Sequence, residues 1–274
     1  MAWVRVLKAL MLGAGSVGGL SGAAYGLLNG QSKRARTIIG KTVALPLNAD
    51  GVYLPDGSGP VADEPADPLS FAVLGDSLAA GLGAETVGRL PGVILAKGLA
   101  EESGRPVRLA THAVGGSRTS DLEVQVDVAL IQPPDLVLVI VGGNDVTSRM
   151  RVGTSAEVLA DQVARLRRAG TTVVVGTCPD LDIVQPIPQP LRTIASRWGL
   201  ALARAQRRRL EQQGVRTVSL AALVSPEFRQ RPDELFSDDR FHPNGAGYEL
   251  AASVMLAPLC DAAGLLGGRE LTGA

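Results

Sequence analysis

From residue 70 onward the chain alternates short, unbroken apolar runs with longer stretches whose apolar positions recur at helical spacing. Residues 70–74 are apolar without alternation, as expected of a strand buried on both faces. Residues 107–114, 136–141, 172–175 and 215–220 repeat the theme, and Leu136-Val137-Leu138-Val139-Ile140-Val141 is its strongest instance. Between these runs, residues 93–102, 120–130, 156–169, 191–213 and 246–262 read as helices. In 120–130, for example, Leu122, Val126, Ala129 and Leu130 share one side. Such alternation predicts an α/β fold with three α/β/α layers around a central, roughly five-stranded parallel sheet. No internal repeat interrupts it.

The first 69 residues follow neither period. Arg5 and Lys8 precede an uncharged stretch over residues 9–31, and Lys33, Arg34 and Arg36 follow it. The stretch is long enough to span a bilayer. It is glycine-rich, with Gly15/Gly19 and Gly18/Gly22/Gly26 at the spacing of closely packed membrane helices. Residues 1–40 are read as an N-terminal hydrophobic helix with basic flanks, either a signal-anchor or a cleaved signal segment. The uncleaved anchor is preferred because no A-x-A-like site precedes the basic cluster, and a soluble amphipathic arm is the alternative. Positive charge on both flanks leaves orientation open. Residues 41–69, rich in Pro, Asp and Gly, read as a linker or as an extended segment lying on the domain. Residues 70–265 are then the folded domain and 266–274 a C-terminal tail. The expectation is a membrane-anchored or exported protein of the cell envelope, touching the membrane through its N-terminal segment.

Composition narrows the chemistry. An apolar content of 46% is ample for a core, while 3% aromatic argues against a sugar- or base-stacking surface. Lys+Arg and Asp+Glu balance at 27 each, which gives no reason to expect a nucleic-acid partner. The two cysteines cannot build a disulfide framework or a usual structural zinc site, and a single Cys178–Cys260 bridge stays open. Two histidines without H-E-x-x-H argue against a metal-dependent hydrolase, so neither metal nor cofactor is expected. The basic run over residues 204–209 reads as a solvated helix face, with anionic lipid as the minor alternative.

Polar islands follow the apolar runs. Gly75-Asp76-Ser77-Leu78 comes after the first strand, Gly115-Gly116 after the second, and Gly142-Gly143-Asn144-Asp145 after the third. Asp239-Arg240-Phe241-His242-Pro243-Asn244 precedes the last helix. Strand alternation puts all of them beyond the carboxyl ends of the strands, where open α/β sheets bind ligands. A serine at a strand-to-helix turn is a nucleophile once a base removes its proton. His242 is the candidate base, with Asp239 accepting from its other ring nitrogen. Asn144, with the N–H groups of Gly116 and Ser77, offers donors for the oxyanion of acyl transfer. His112 lies inside an apolar strand and reads as a packed or solvent-tipped ring. Residues 181–190 form one long irregular segment, in which Ile183, Val184 and Ile187 are candidates either for an acyl pocket or for packing under the loop.

Gly75-Asp76-Ser77-Leu78, Gly116, Gly143-Asn144-Asp145 and Asp239-x-x-His242-Pro243 resemble, in order, the blocks of the SGNH/GDSL hydrolase superfamily over about residues 71–256. The resemblance implies a flavodoxin-like fold, with Ser77 as nucleophile, His242 as base and Asp239 as its orienter. It also implies an oxyanion hole of Ser77, Gly116 and Asn144. Thr111 stands where many members begin the glycine block with Asn, so a supporting hydrogen bond near Gly116 is expected to differ. The N-terminal segment, the linker and Gly176-Thr177-Cys178-Pro179-Asp180 look like the exported or membrane-tethered GDSL esterases of actinobacteria. The α/β-hydrolase fold shares the order Ser, Asp, His, but its G-x-S-x-G elbow is absent here because Ala79 stands two after Ser77. The expected function is a serine esterase acting on small-molecule, lipid or glycan esters. An O-acyltransferase for an envelope glycan or glycolipid is the alternative, and a non-catalytic tethered binding module the third reading. Short connections without a lid predict an open site favouring short-chain acyl esters.

Overall fold

In the computed structural model, which describes residues 25–35, 37, 47–62 and 65–265, all five predicted runs form strands. They are β2 (Leu69–Gly75), β3 (Val107–Thr111), β4 (Leu136–Ile140), β5 (Thr172–Gly176) and β6 (Arg216–Val218). A sixth strand, β1 (Gly51–Tyr53), completes a sheet of order β1-β3-β2-β4-β5-β6. The four inner pairings from β3 to β6 are parallel along that order, whereas β1 runs antiparallel to β3. Ala72 of β2 faces Ala110 on one side and Val137 on the other. Omitting β1, the order is that of the flavodoxin-like doubly wound sheet.

The strands are apolar throughout because both faces are covered. Phe71, Val73, Leu136 and Leu138 pack against α2 (Pro91–Ser103) and α10 (Gly245–Ala262). Their neighbours Ala72, Leu74, Val137 and Val139 pack against α3 (Leu122–Ala129), α5 (Val152–Arg168) and α6 (Leu191–Glu211). Between strands and helices lie two one-turn elements at the carboxyl edge, α1 (Ser77–Ala80) and α4 (Gly143–Thr147). On α6, the basic run is solvated as expected: Arg204, Arg207, Arg208 and Arg209 are exposed, and Arg209 pairs with Glu157 at 2.6 Å.

Three differences from the sequence reading stand out. First, part of the linker belongs to the sheet: Val52 also bridges to Val61, and Tyr53 is wholly buried, its hydroxyl donating to Ala49 O at 2.6 Å. Such a three-residue strand is too short to show a period. Second, the run over 215–220 ends early, and three short helices follow: α7 (Leu220–Leu223), α8 (Ser225–Gln230) and α9 (Pro232–Leu235). Prolines in the first turns of α8 and α9 set the breaks. They form a bracket beside the carboxyl edge, where short, open connections were expected.

Third, the anchor reading is not supported where it can be inspected. Residues 1–24 lie outside the described residues, but 25–35 are helical and sit on the domain. The Gln31 amide donates to Gln189 O at 2.6 Å and accepts from Leu191 N–H, and Ala35 is buried beside Val184 and Ile187. Among the described residues no helix is long and apolar enough to cross a membrane. The tail beyond residue 265 also lies outside the described residues.

The buried ring of Tyr53 makes the former linker part of the stability of the domain. Tyr53→Ala should cost about 3–5 kcal/mol in urea denaturation, and Tyr53→Phe about 1 kcal/mol for the lost hydrogen bond. A loose linker would leave both midpoints unchanged.

Candidate active site

The chain leaves β2 for β3 on one side and then crosses to β4 on the other, so strand order reverses around β2. The turns after β2, β3 and β4 therefore meet at one crevice. Gly75 closes β2 with φ 136°, and a Cβ there would lie 1.8 Å from Ile140 O of the adjacent strand. Only glycine fits that approach. Asp76 caps α1 by accepting from Leu78 N–H at 3.0 Å, and Ser77 opens the helix. Gly142, φ 140°, makes the corresponding turn after β4 before Asn144.

One side-chain amide ties these turns together. Gln125, buried on α3, accepts from Gly75 N–H at 2.7 Å and donates to Gly75 O at 2.9 Å and to Ser117 Oγ at 3.2 Å. Ser117 O in turn accepts from Asn144 Nδ2 at 3.0 Å, which leaves the other amide hydrogen of Asn144 unengaged. Gly116, φ 84°, sits in the same turn as Ser117. Among the described residues, the N–H groups of Ser77 and Gly116 donate to no protein acceptor. The family-variant Thr111 spends its N–H on Asp50 Oδ2 at 3.0 Å, while Gln125 supports the glycine turn. Buried Asp145 accepts from Thr119 N–H and Oγ1, the latter at 2.6 Å, fixing the segment after Gly116 to α4. Burial pushes its carboxyl upward, against the hydrogen bonds from Thr119 and Ser155.

Asp239 and His242 come from a loop closed on itself. Ser237 N–H donates to His242 O, and Arg240 adopts φ 55° at the bend. Asp239 Oδ1 accepts from the N–H groups of Phe241 and His242, each at 2.8 Å, and from Ser237 Oγ at 2.9 Å. Its Oδ2 lies 2.6 Å from His242 Nδ1. Burial acts to raise the Asp239 carboxyl, but the bonds from the His242 ring and the two backbone N–H groups outweigh it and hold it at about 2. Asp239 is therefore a carboxylate at neutral pH. Asn244, not Asp239, caps α10 by accepting from Gly247 N–H. The loop lies close to the turn that carries Ser77: a Cβ on Gly83 would meet His242 Cβ at 3.0 Å, and Tyr248 of α10 donates to Leu82 O at 2.6 Å. Neither Ser77 Oγ nor His242 Nε2 hydrogen-bonds to another described residue, and neither is a sealed, unpaired atom.

Two grooves reach this centre. A mainly apolar pocket contains Ser77 and Asn144 together with Ile183 and Val184. Ile187 does not line it, packing instead under the loop with Ala35 and Ala195. Of the three acyl-pocket candidates, Ile187 is thus the one given over to packing beneath the loop. A second, more polar groove is lined by Glu85, Asp238, Asp239 and His242. His112 borders a separate groove with Arg108 and Gln132, and burial lowers its ring. Cys178 and Cys260 are both free and belong to different apolar clusters. Among the described residues no group of three or more His, Cys, Asp or Glu is arranged to hold a metal.

Asp76, which no periodicity singles out, has its carboxyl pushed up to about 7 by burial and by the Asp145 charge, against the Leu78 and Gly142 N–H groups and the His242 charge. The folded protein then keeps a proton that the unfolded chain loses above about 3.8. Stability should fall as pH rises from that value to about 7, then level off. Asp76→Asn removes the charge and keeps an acceptor for Leu78, so its urea midpoint should fall less over that window than the wild type's. Equal slopes would show that Asp76 does not titrate there.

Residues 73–250 match the family described as GDSL-like Lipase/Acylhydrolase. A GDSL-like esterase of Mycobacterium tuberculosis (strain ATCC 25618 / H37Rv), Rv1075c, is 43% identical over 252 residues, covering 88% of this chain and 80% of that protein. The lipase/acylhydrolase from Enterococcus faecalis superposes with a TM-score of 0.57 at 21% identity, over 69% of this chain and 94% of its own. Axe2, an acetylxylan esterase from Geobacillus stearothermophilus, gives 0.53 at 18% identity, over 69% and 93%. At those identities the two structures speak for the fold alone. The family match and the mycobacterial relative go further: the chain belongs to the GDSL-like lipase/acylhydrolase family and is a GDSL-type serine hydrolase.

Proposed function

We propose that the protein hydrolyses carboxylic esters through an acyl-enzyme on Ser77, with His242 as general base and Asp239 holding the ring. The observation that carries this reading is the buried 2.6 Å contact between Asp239 Oδ2 and His242 Nδ1, which leaves Nε2 without a protein partner. Attack joins Ser77 Oγ to the carbonyl carbon while the hydroxyl proton passes to Nε2. The carbonyl electron pair moves onto oxygen, facing the Ser77 and Gly116 N–H groups and the free amide hydrogen of Asn144. Collapse breaks the bond to the alcohol oxygen, which takes the proton from His242. Water then attacks the acyl carbon, His242 takes its proton, and departure of the acid returns that proton to Ser77. The Asp239 carboxylate, ionised well below neutral pH, stabilises the imidazolium throughout.

Transfer to a hydroxyl acceptor in place of water is the second reading, favoured by the polar groove that opens beside His242 past Glu85 and Asp238. Product analysis at saturating sugar or glycerol separates the two, and exclusive hydrolysis sinks transfer. An exported location is a separate proposal, resting on the basic-flanked residues 9–31. Fractionation into cytosol, membrane and medium tests it, and a wholly cytosolic enzyme overturns it.

Ser77→Ala should lower kcat for p-nitrophenyl acetate or butyrate on the order of 10⁴-fold or more. Asn144→Ala should cost about 10²–10³ in kcat with KM little changed, as for loss of one oxyanion donor. Near-full activity of Ser77→Ala would refute the mechanism.

A further inference from the structure

Resting on that mechanism, we infer that Gln31 is a positioning residue of the active site, holding from outside the family-matched region one wall of the pocket that contains Ser77. That wall is Ile183 and Val184, on the irregular segment between β5 and α6. The segment is tied to the first turn of α6. Arg192 donates through Nε to Ile187 O at 2.6 Å and through Nη2 to Gln185 O at 2.9 Å. The position of the wall therefore depends on how firmly that turn is formed.

The turn lacks a cap of its own. α6 opens at Leu191 behind Pro190, whose side chain offers no acceptor to the orphan N–H groups of a helix start. Gln31, 160 residues upstream of Leu191, takes that place: its Oε1 accepts from Leu191 N–H at 3.2 Å while its Nε2 donates to Gln189 O at 2.6 Å. One amide thus satisfies a backbone group on either side of Pro190. One turn further along the same helix face, Ala35 is buried in the apolar cluster that holds Val184 and Ile187. The helix over residues 25–35 accordingly braces the wall twice, through the α6 turn and by packing. It also approaches the segment after α4, where the Arg149 guanidinium stands 5.9 Å from the centre of the exposed Tyr25 ring. The reacting groups are held by other means, Asn144 by Ser117 O and His242 by Asp239. Loss of the brace should therefore weaken binding of the ester and leave the chemical step alone.

The test compares the full-chain wild type, Gln31→Ala, Ala35→Glu and Arg192→Ala on p-nitrophenyl butyrate, with active sites counted by a fluorophosphonate label. Gln31→Ala should raise KM about two- to tenfold, the range for one or two ordinary hydrogen bonds, with kcat per labelled site unchanged. Ala35→Glu, which would bury an unpaired carboxylate, should release the helix and raise KM further. Because Gln31 and Arg192 act through one turn, the double variant should fall short of the product of the two single effects. Amide hydrogen exchange over residues 181–191 should quicken in both N-terminal variants. Faster exchange with unchanged KM overturns the inference, since the loop would then be braced without bearing on the site. So does unchanged exchange in both, or a loss of labelled sites at constant KM, which would mark a brace for the fold alone. Absence of label on wild-type Ser77 refutes the serine mechanism instead, and the exchange result then still decides whether Gln31 holds the loop.

Discussion

The site depends on a single buried amide. Gln125 satisfies the N–H of Gly75 and shares its C=O with Val114 N–H, at the point where the chain leaves β2. Leaving that buried N–H without a partner would cost about 1–3 kcal/mol, so the clamp favours this turn. The same amide reaches Ser117, and Ser117 holds Asn144. Three loops from three different strands are thereby placed in one frame. Their relative positions are set by hydrogen-bond lengths, and loop flexibility has little part in them.

Electrostatics complete what the turns begin. Two buried carboxyl groups, Asp76 and Asp145, stand behind Ser77 and the Asn144 turn, and both are raised by burial. Asp239 is buried as well, yet it is driven the other way because four donors converge on it. The difference lies in hydrogen-bond supply, since all three are shielded from water. One centre thus keeps a firmly ionised carboxylate beside the histidine and more easily protonated ones behind the serine turn.

Much of this was legible in the sequence, and the exceptions have physical causes. The inner strands carry apolar residues on both faces, so their runs are continuous and easily read. The placement of Ser77, Asn144, Asp239 and His242 at the carboxyl edge was legible because turns at that edge of such a sheet are punctuated by glycine or proline. β1 was missed because three residues carry no period and its pairing is with a distant strand. The helical bracket over 220–235 was missed because each of its helices is only about one turn long, and prolines there suggest loop more than helix. Gln125 and Gln206 were missed for a different reason: each is one polar residue on an otherwise apolar helical face. Gln125 falls in register with Leu122, Val126 and Ala129, and that interruption was the available signal. Gln206, likewise buried, links Cys178 N–H to Val141 O across the ends of β5 and β4. The apolar N-terminal stretch misled in its last turns, where composition suited to lipid serves equally well against protein.

Gly75 bears on how lesions in this enzyme would be interpreted. Ser77 can lose its hydroxyl and leave every neighbouring contact in place, because its Oγ bonds to nothing inside the protein. Gly75 can accept no side chain at all, since the space is occupied by the Ile140 carbonyl. In a screen that scores only lost activity, changes at the two positions would look alike. On the mechanism proposed above, one removes the nucleophile from an intact fold, and the other separates two central strands. The least replaceable residue of the block is the one that contributes no chemistry.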